Sequence, residues 1–279
     1  MPRMTHTEGT LTSRDGTELF FQHWAPEGDA KAVICLVHGL GEHSGRYAHV
    51  ADTYNAAGYA VIAFDTRGHG RSPGGRGNTP FEPTMDDIAA LIARGAELYP
   101  GKPQFLYGHS LGGLLVLTYC LRRKPSLTGV VGTSSGLASP LLEQKLKIGA
   151  AKVLGSLLPS VTIPTGLDVN LISRDPEVVK AYVADPLTHD KATLALGRDG
   201  AVGAERALAE AGQFTLPLLL VHGTADEIAY AKGSEEFASK VTSEHELKLY
   251  EGLYHETHNE PEKATVLADI VAWLDAHVT

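Results

Sequence analysis

Cysteine is scarce in this chain: only Cys35 and Cys120 occur among 279 residues. Each lies in an apolar run, AVICLVHG and LLVLTYCL. Two such isolated residues form neither a disulfide framework nor a C-x-x-C redox or metal motif, so two buried thiols are expected. No stretch approaches the roughly 18 apolar residues of a membrane span. The opening MPRMTHTEGTLTSRDG has no apolar signal core, and a cytoplasmic protein is the expectation. Basic runs are short, as in Arg122-Arg123-Lys124, and the formal net charge is −9, which argues against a nucleic-acid surface. No G-x-G-x-x-G opens the chain and no G-x-x-x-x-G-K-[ST] occurs, so dinucleotide and phosphate-loop readings fall away. H-E-x-x-H is missing too: His255-Glu256-Thr257-His258 is one residue short of it, and neither that pair nor the His38, His43, His49 group completes a zinc site. No metal or other cofactor is expected. Internal repeats and low-complexity tracts are absent, and no feature sets an oligomeric state.

The chain does have the composition of a soluble globular protein, 43% hydrophobic and 20% charged. Its length suits one large domain, or a core carrying an insertion. Thr10–Thr12 and Glu18–His23 flank Arg14-Asp15-Gly16 and read as a hairpin. Nearly continuous apolar runs follow at Ala32–Val37, Tyr59–Phe64, Gln104–Tyr107, Val130–Gly132 and Leu216–Val221. Such runs suit strands buried on both faces of a parallel sheet. Glu246–Tyr250 alternates with charge and reads as a strand nearer the edge. Helical patterns lie between the strands, at about Arg46–Ala57, Thr84–Tyr99 and Leu111–Arg123, and a last one at about Glu260–Ala276 carries Val266, Leu267, Ile270, Val271 and Leu274 at helical spacing. The crossover rule then places helices on both faces of the sheet.

Between Ser139 and Gly212 this alternation breaks. Leu141–Leu158 is helical in pattern, with Leu146, Ala150, Val153 and Leu157 on one stripe, and prolines then punctuate short pieces without a convincing strand. The reading is a sheet core at 1–138 and 213–279, interrupted by a helical cap at 139–212; a long surface excursion is the simpler alternative.

The segment QFLYGHSLGGLLVLTY contains G-x-S-x-G as Gly108-His109-Ser110-Leu111-Gly112, between an apolar strand and an apolar helix. That context, more than the pentapeptide, marks Ser110 as a candidate nucleophile: a serine on a sharp strand-to-helix turn holds its hydroxyl above the sheet beside the helix N-terminus. The backbone N–H of the next residue, Leu111, is one candidate oxyanion donor. The Gly-rich turn His38-Gly39-Leu40-Gly41 follows the strand at Ala32–Val37 and offers Leu40 as the other. His38 reads as a structural pin of that turn.

In serine sites on such a turn the acid and then the base follow the nucleophile along the chain. Asp226, in VHGTADEIAY, and His255, in KLYEGLYHETHNE, each lie just past a strand and take these places. His255 would accept the Ser110 proton and return it to the leaving group, and Asp226 would hold the imidazole tautomer. Glu227 beside the acid, Asp65 in FDTRGHGRS and His258 beside the base are the alternatives. Asp65 precedes the nucleophile and reads as a tie for the Arg67-Gly68-His69-Gly70 loop. His109 reads as a supporting residue, His222 as structural, and His69 as structural or lining a cleft.

Together, HGLGEHSGRY (38–47), FDTRGHGRS (64–72), YGHSLGG (107–113), HGTAD (222–226) and YEGLYHETHNE (250–260) resemble the monoacylglycerol lipase family of α/β-hydrolases, as does LISRDPEVVKAYVADPL (171–187) at the end of that family's cap. The resemblance runs from about Leu19 to Leu274. It implies the α/β-hydrolase fold, with a mostly parallel central sheet flanked by helices and a cap inserted after the fourth parallel strand. It also implies Ser110, Asp226 and His255 as the triad and Leu40 and Leu111 at the oxyanion positions. The implied reaction is hydrolysis of the monoacylglycerol ester to fatty acid and glycerol, on a lipid substrate met through a cap able to touch a membrane. Lysophospholipase or broad carboxylesterase activity is the alternative, and a non-catalytic binding protein on the same scaffold the alternative of another class. Two departures stand out. VGTSSG (131–136) occurs where the family more often has a Ser-Pro turn, and Thr188–Gly203 has no clear match.

Overall fold

The computed structural model describes residues 5–144, 149 and 153–278, without the side chain of Leu141. Strands β1 (Thr5–Thr12) and β2 (Glu18–Ala25) form the antiparallel hairpin expected around Asp15-Gly16. Then come β3 (Ala32–Val37), a 3-10 turn at Ser44–Tyr47, helix α1 (Ala48–Ala56), β4 (Tyr59–Phe64), α2 (Phe81–Leu98), β5 (Gln104–His109), α3 (Leu111–Arg123) and β6 (Gly129–Thr133). The insertion contains α4 (Pro140–Glu143), a helical piece at residues 153–157, β7 (Thr162–Pro164), α5 (Pro176–Ala184), β8 (Lys191–Thr193) and α6 (Leu194–Glu210). The core resumes with β9 (Leu218–Gly223), α7 (Ala231–Lys240), β10 (His245–Tyr250) and α8 (Lys263–His277).

Eight strands make one sheet in the order β1-β2-β4-β3-β5-β6-β9-β10; β2 runs antiparallel to both neighbours, and β4 through β10 are parallel. The continuous apolar runs are the strands covered on both sides. In β3, Val33, Cys35 and Val37 face the layer of α2, α3 and α7, while Ala32, Ile34 and Leu36 face α1 and α8. Val266, Leu267, Ile270, Trp273 and Leu274 of α8 are buried there, each contributing about 1.5–3 kcal/mol by leaving water. The charged alternation of β10 belongs to an outer strand, as expected. Both cysteines are buried and neither forms a disulfide.

The cap departs from expectation in two ways. β7 and β8 pair as a short antiparallel ribbon, although no strand was expected there; three residues per strand are too few to show alternation. In the Leu141–Leu158 stripe, Leu146 and Ala150 lie outside the described residues, and Val153 (59%) and Leu157 (71%) are exposed to solvent rather than packed. The rear of the cap is stitched to the core. Thr193 N–H donates to Gly77 O, Glu256 N–H to Ile172 O, and the Arg174 guanidinium pairs with buried Glu260.

Candidate active site

One residue, Ser110, separates β5 from α3, and it turns the chain at φ 54, ψ −117. An L-residue pays for that conformation, and the neighbouring glycines show why the turn can be so tight. A Cβ at Gly108 would lie 2.4 Å from the Gly112 carbonyl oxygen, and one at Gly112 would lie 2.2 Å from that of Val37. Only glycine lets α3 begin against the end of β3. That contact sets the turn following β3 beside the nucleophile: a Cβ on Gly39 would stand 3.1 Å from the Ser110 Cβ.

The structure brings Ser110, Asp226 and His255 together in one line. The Ser110 hydroxyl lies 2.9 Å from His255 Nε2, and His255 Nδ1 lies 2.7 Å from Asp226 Oδ2. Asp226 Oδ1 accepts the N–H groups of Ile228 and Ala229, each at 2.9 Å. The carboxylate acts here as an acceptor, so Nδ1 of His255 carries its proton and Nε2 is free to accept from Ser110. Neither alternative acid stands here. Glu227 is not hydrogen-bonded to the imidazole, and Asp65 binds the N–H groups of Ser44 and Arg71. His258 is buried beyond His255; among the described residues neither of its ring nitrogens has a partner, and it stacks on Tyr47.

The electrostatics suit proton transfer. Burial works against the charged form of His255, but the adjoining Asp226 carboxylate outweighs it and lifts the imidazole above its ordinary value near 6.5. Burial alone would raise Asp226; the charge of His255 and the hydrogen bonds of His222 and His255 more than offset this and keep it below the usual carboxylate range. A base must be neutral to take a proton, so kcat/KM should rise with pH along a limb centred above 6.5. A pH–rate profile measures this, and a limb centred below 6.5 contradicts the geometry.

Leu111 is the first residue of α3, directly after Ser110, and Leu40 follows Gly39, which packs on Ser110, in the turn after β3. Among the described residues their backbone N–H groups have no hydrogen-bond acceptor, as two oxyanion donors require. The turn is held from several sides. His38 donates from Nδ1 to Gly39 O and accepts Thr66 N–H at Nε2, which is the pin expected of it. Glu42 Oε1 accepts Gly39 N–H and the Tyr47 hydroxyl, both at 2.7 Å. Arg46 joins Glu42 to Glu256, with a two-pronged contact to the latter at 2.7 Å. From the cap, the Tyr182 hydroxyl and His189 N–H both donate to Gly41 O at 2.9 Å. His69 does not line a cleft; it is fully buried against His38 and His189.

With this geometry in view, comparison with known proteins is decisive. Residues 28–262 match the family model described as serine aminopeptidase, S33. The chain is 36% identical over 281 residues to a monoacylglycerol lipase of Mycolicibacterium smegmatis, covering 100% of both chains. The chain belongs to the monoacylglycerol lipase family of α/β-hydrolases. It superposes on a solved monoacylglycerol lipase of Paleococcus ferrophilus with a TM-score of 0.87 at 39% identity, covering 93% of this chain and 99% of the other. It is also 39% identical over 279 residues to an uncharacterized abhydrolase domain-containing protein of Dictyostelium discoideum; there it spans 99% of itself but 30% of that longer protein.

As in a serine ester hydrolase of this family, function extends beyond the motif residues. His222 donates from Nε2 to Ala229 O at 2.7 Å and reaches Asp226 Oδ2 at 3.1 Å, while Nδ1 accepts the Ser234 hydroxyl. It supports the carboxylate directly, which its place four residues before Asp226 could have signalled. Glu42 and Arg46 are also four apart, a spacing that pairs charges on a helical turn. Their partner Glu256 lies 210 residues from Arg46, and no local pattern announces it.

Proposed function

We propose that this chain hydrolyses the ester of monoacylglycerols to fatty acid and glycerol through an acyl-enzyme on Ser110. The observation that carries the chemistry is the unbroken Ser110–His255–Asp226 line of hydrogen bonds. In this reading His255 Nε2 takes the hydroxyl proton as Oγ attacks the ester carbonyl. The oxyanion then meets the N–H groups of Leu40 and Leu111 at the N-terminus of α3, where the helix dipole also favours negative charge. His255 next protonates the departing glycerol oxygen. A water deprotonated by the same imidazole releases the fatty acid. Asp226 stays ionised and steadies the imidazolium at each step. Full-length similarity to monoacylglycerol lipases supports the acyl glycerol substrate. The test is a hydrolysis panel of mono-, di- and triacylglycerols with lysophospholipid over several acyl lengths. Strong preference for the monoacylglycerol is expected; preference for lysophospholipid overturns the substrate assignment.

We further propose that residues 139–212 act as the cap and meet a membrane surface from the cytoplasm. Val153, Leu154, Leu157, Leu158, Val161 and Ile163 are all exposed within eleven residues of the cap, a concentration of apolar side chains that suits lipid contact. Among the described residues no helix is long and apolar enough to cross a membrane, so contact would be peripheral. Replacing Leu154 and Leu157 by serine should lower vesicle co-sedimentation and turnover of vesicle-borne substrate several-fold. Turnover of a short soluble ester should change by less than about twofold; equal loss on both substrates would contradict the membrane role.

A further inference from the structure

The last residue of β6 and the three after it hold both partners of the proton transfer. Thr133 O accepts the Ser110 N–H at 3.0 Å, and Gly136 N–H donates to Ser110 O at 3.0 Å. Between them, Ser134 is fully buried. Its N–H donates to Val221 O at 2.8 Å, near the end of the strand that leads to Asp226, and its hydroxyl donates to the backbone carbonyl of His255 at 2.6 Å. The same carbonyl also accepts the N–H of Thr257, two residues on in the same loop, at 3.1 Å. Ser134 is thus the core's hold on the backbone of the base, while its neighbours hold the nucleophile.

Its backbone makes the choice of serine informative. Ser134 has φ 44, and among the described residues only Ser110 and Lys124 share that left-handed region without being glycine. Glycine is the relaxed residue there, and serine carries a steric cost that glycine does not. The side chain must therefore serve something other than the turn, and among the described residues the one hydrogen bond of its hydroxyl is to the His255 carbonyl.

We propose that Ser134 is a positioning residue for catalysis, its hydroxyl fixing the backbone of His255 so that Nε2 stays in hydrogen-bond reach of the Ser110 hydroxyl. This rests on Ser110 and His255 being nucleophile and base. Without the hydroxyl the imidazole is free to drift by a fraction of an ångström, and displacements approaching 1 Å cost about 100-fold in rate. The oxyanion donors, carried by Leu40 and Leu111, are left in place.

The experiment compares Ser134→Ala and Ser134→Gly with the unaltered protein. Three readouts are taken: kcat and KM on a soluble ester, the rate of covalent labelling by a fluorophosphonate, and Tm. In both variants kcat should fall about 10- to 100-fold with KM within twofold, and labelling should slow by a similar factor. Stability should part company with activity. Ser134→Ala keeps the backbone strain and loses the bond, so its Tm falls. Ser134→Gly relieves the strain, so its Tm exceeds that of the alanine variant while its activity stays as low. Wild-type kcat in Ser134→Gly overturns the proposal, as does a loss confined to KM. Labelling of the unaltered protein at a residue other than Ser110 would instead refute the catalytic reading beneath it.

Discussion

Ser110→Ala should reduce kcat on the order of 10⁴- to 10⁶-fold and abolish fluorophosphonate labelling, while leaving the fold intact. The size follows from how the three residues act. With no hydroxyl there is no acyl-enzyme, and His255 and Asp226 have nothing to activate; what survives is the binding and oxyanion contribution, typically 10³–10⁴ over water in other serine enzymes. Stability should change little, because the hydroxyl makes one hydrogen bond, to His255, and the half-exposed side chain leaves no large cavity. Kinetics, mass-spectrometric mapping of the label and a melting curve measure the three effects. His255→Ala belongs to the same class and should match it within about tenfold. His258→Ala is different. Burial pushes that imidazole down to about 3, so it is neutral, and it packs against Tyr47 and His109 without touching Ser110 or Asp226. Its loss should cost stability and less than tenfold in kcat. Equal residual rates in His255→Ala and His258→Ala would remove His255 from its role.

The legibility of these features follows the range of the interactions behind them. The α3 helix reads from its sequence at Leu111–Arg123, its observed limits, because a strand, a single turning serine and an apolar helix follow one another without interruption. The core strands are equally plain, since burial on both faces writes itself as unbroken Val, Ile, Leu and Ala. α1 begins later than its apolar pattern suggests, because Arg46 and Tyr47 are drawn into the 3-10 turn by Glu42 and Glu256. The β7–β8 ribbon leaves no periodic trace in three-residue strands; it forms where the core loop at Gly77 meets the cap, a contact 116 residues away in sequence between Gly77 and Thr193. VGTSSG marks the segment of Ser134 as a departure without giving the residue a role, and Glu256 sits in an ordinary local pattern; the meaning of each comes from a partner more than a hundred residues distant.

Arg46→Leu should destabilise the protein by about 3–5 kcal/mol, more than loss of a surface ion pair would. Arg46 lies between two buried carboxylates, with side-chain exposures of 3% for Glu42 and 4% for Glu256. Burial alone would raise Glu42, and the Arg46 charge is the foremost influence that brings it below the usual carboxylate value. Remove the guanidinium and both carboxylates are left unpaired in a site that desolvates them. Without that charge burial dominates at Glu42, which then favours its protonated form, and its folded pKa rises above the unfolded one. Stability from such a group is present below the unfolded pKa and is lost as pH rises through the folded pKa. The deficit of Arg46→Leu should therefore be larger at pH 8 than at pH 5, and adding Glu256→Gln should recover part of it. Arg46→Lys keeps the charge but not the fork that spans Glu256, and should fall between the two. Activity should decline with stability, because Glu42 holds the Gly39 N–H beside Ser110 and Glu256 directly follows His255. Denaturant unfolding across pH measures the deficit. A loss below about 1 kcal/mol, or one that shrinks as pH rises, would show that the Glu42–Arg46–Glu256 bridge does not bind the oxyanion turn to the loop that carries the base.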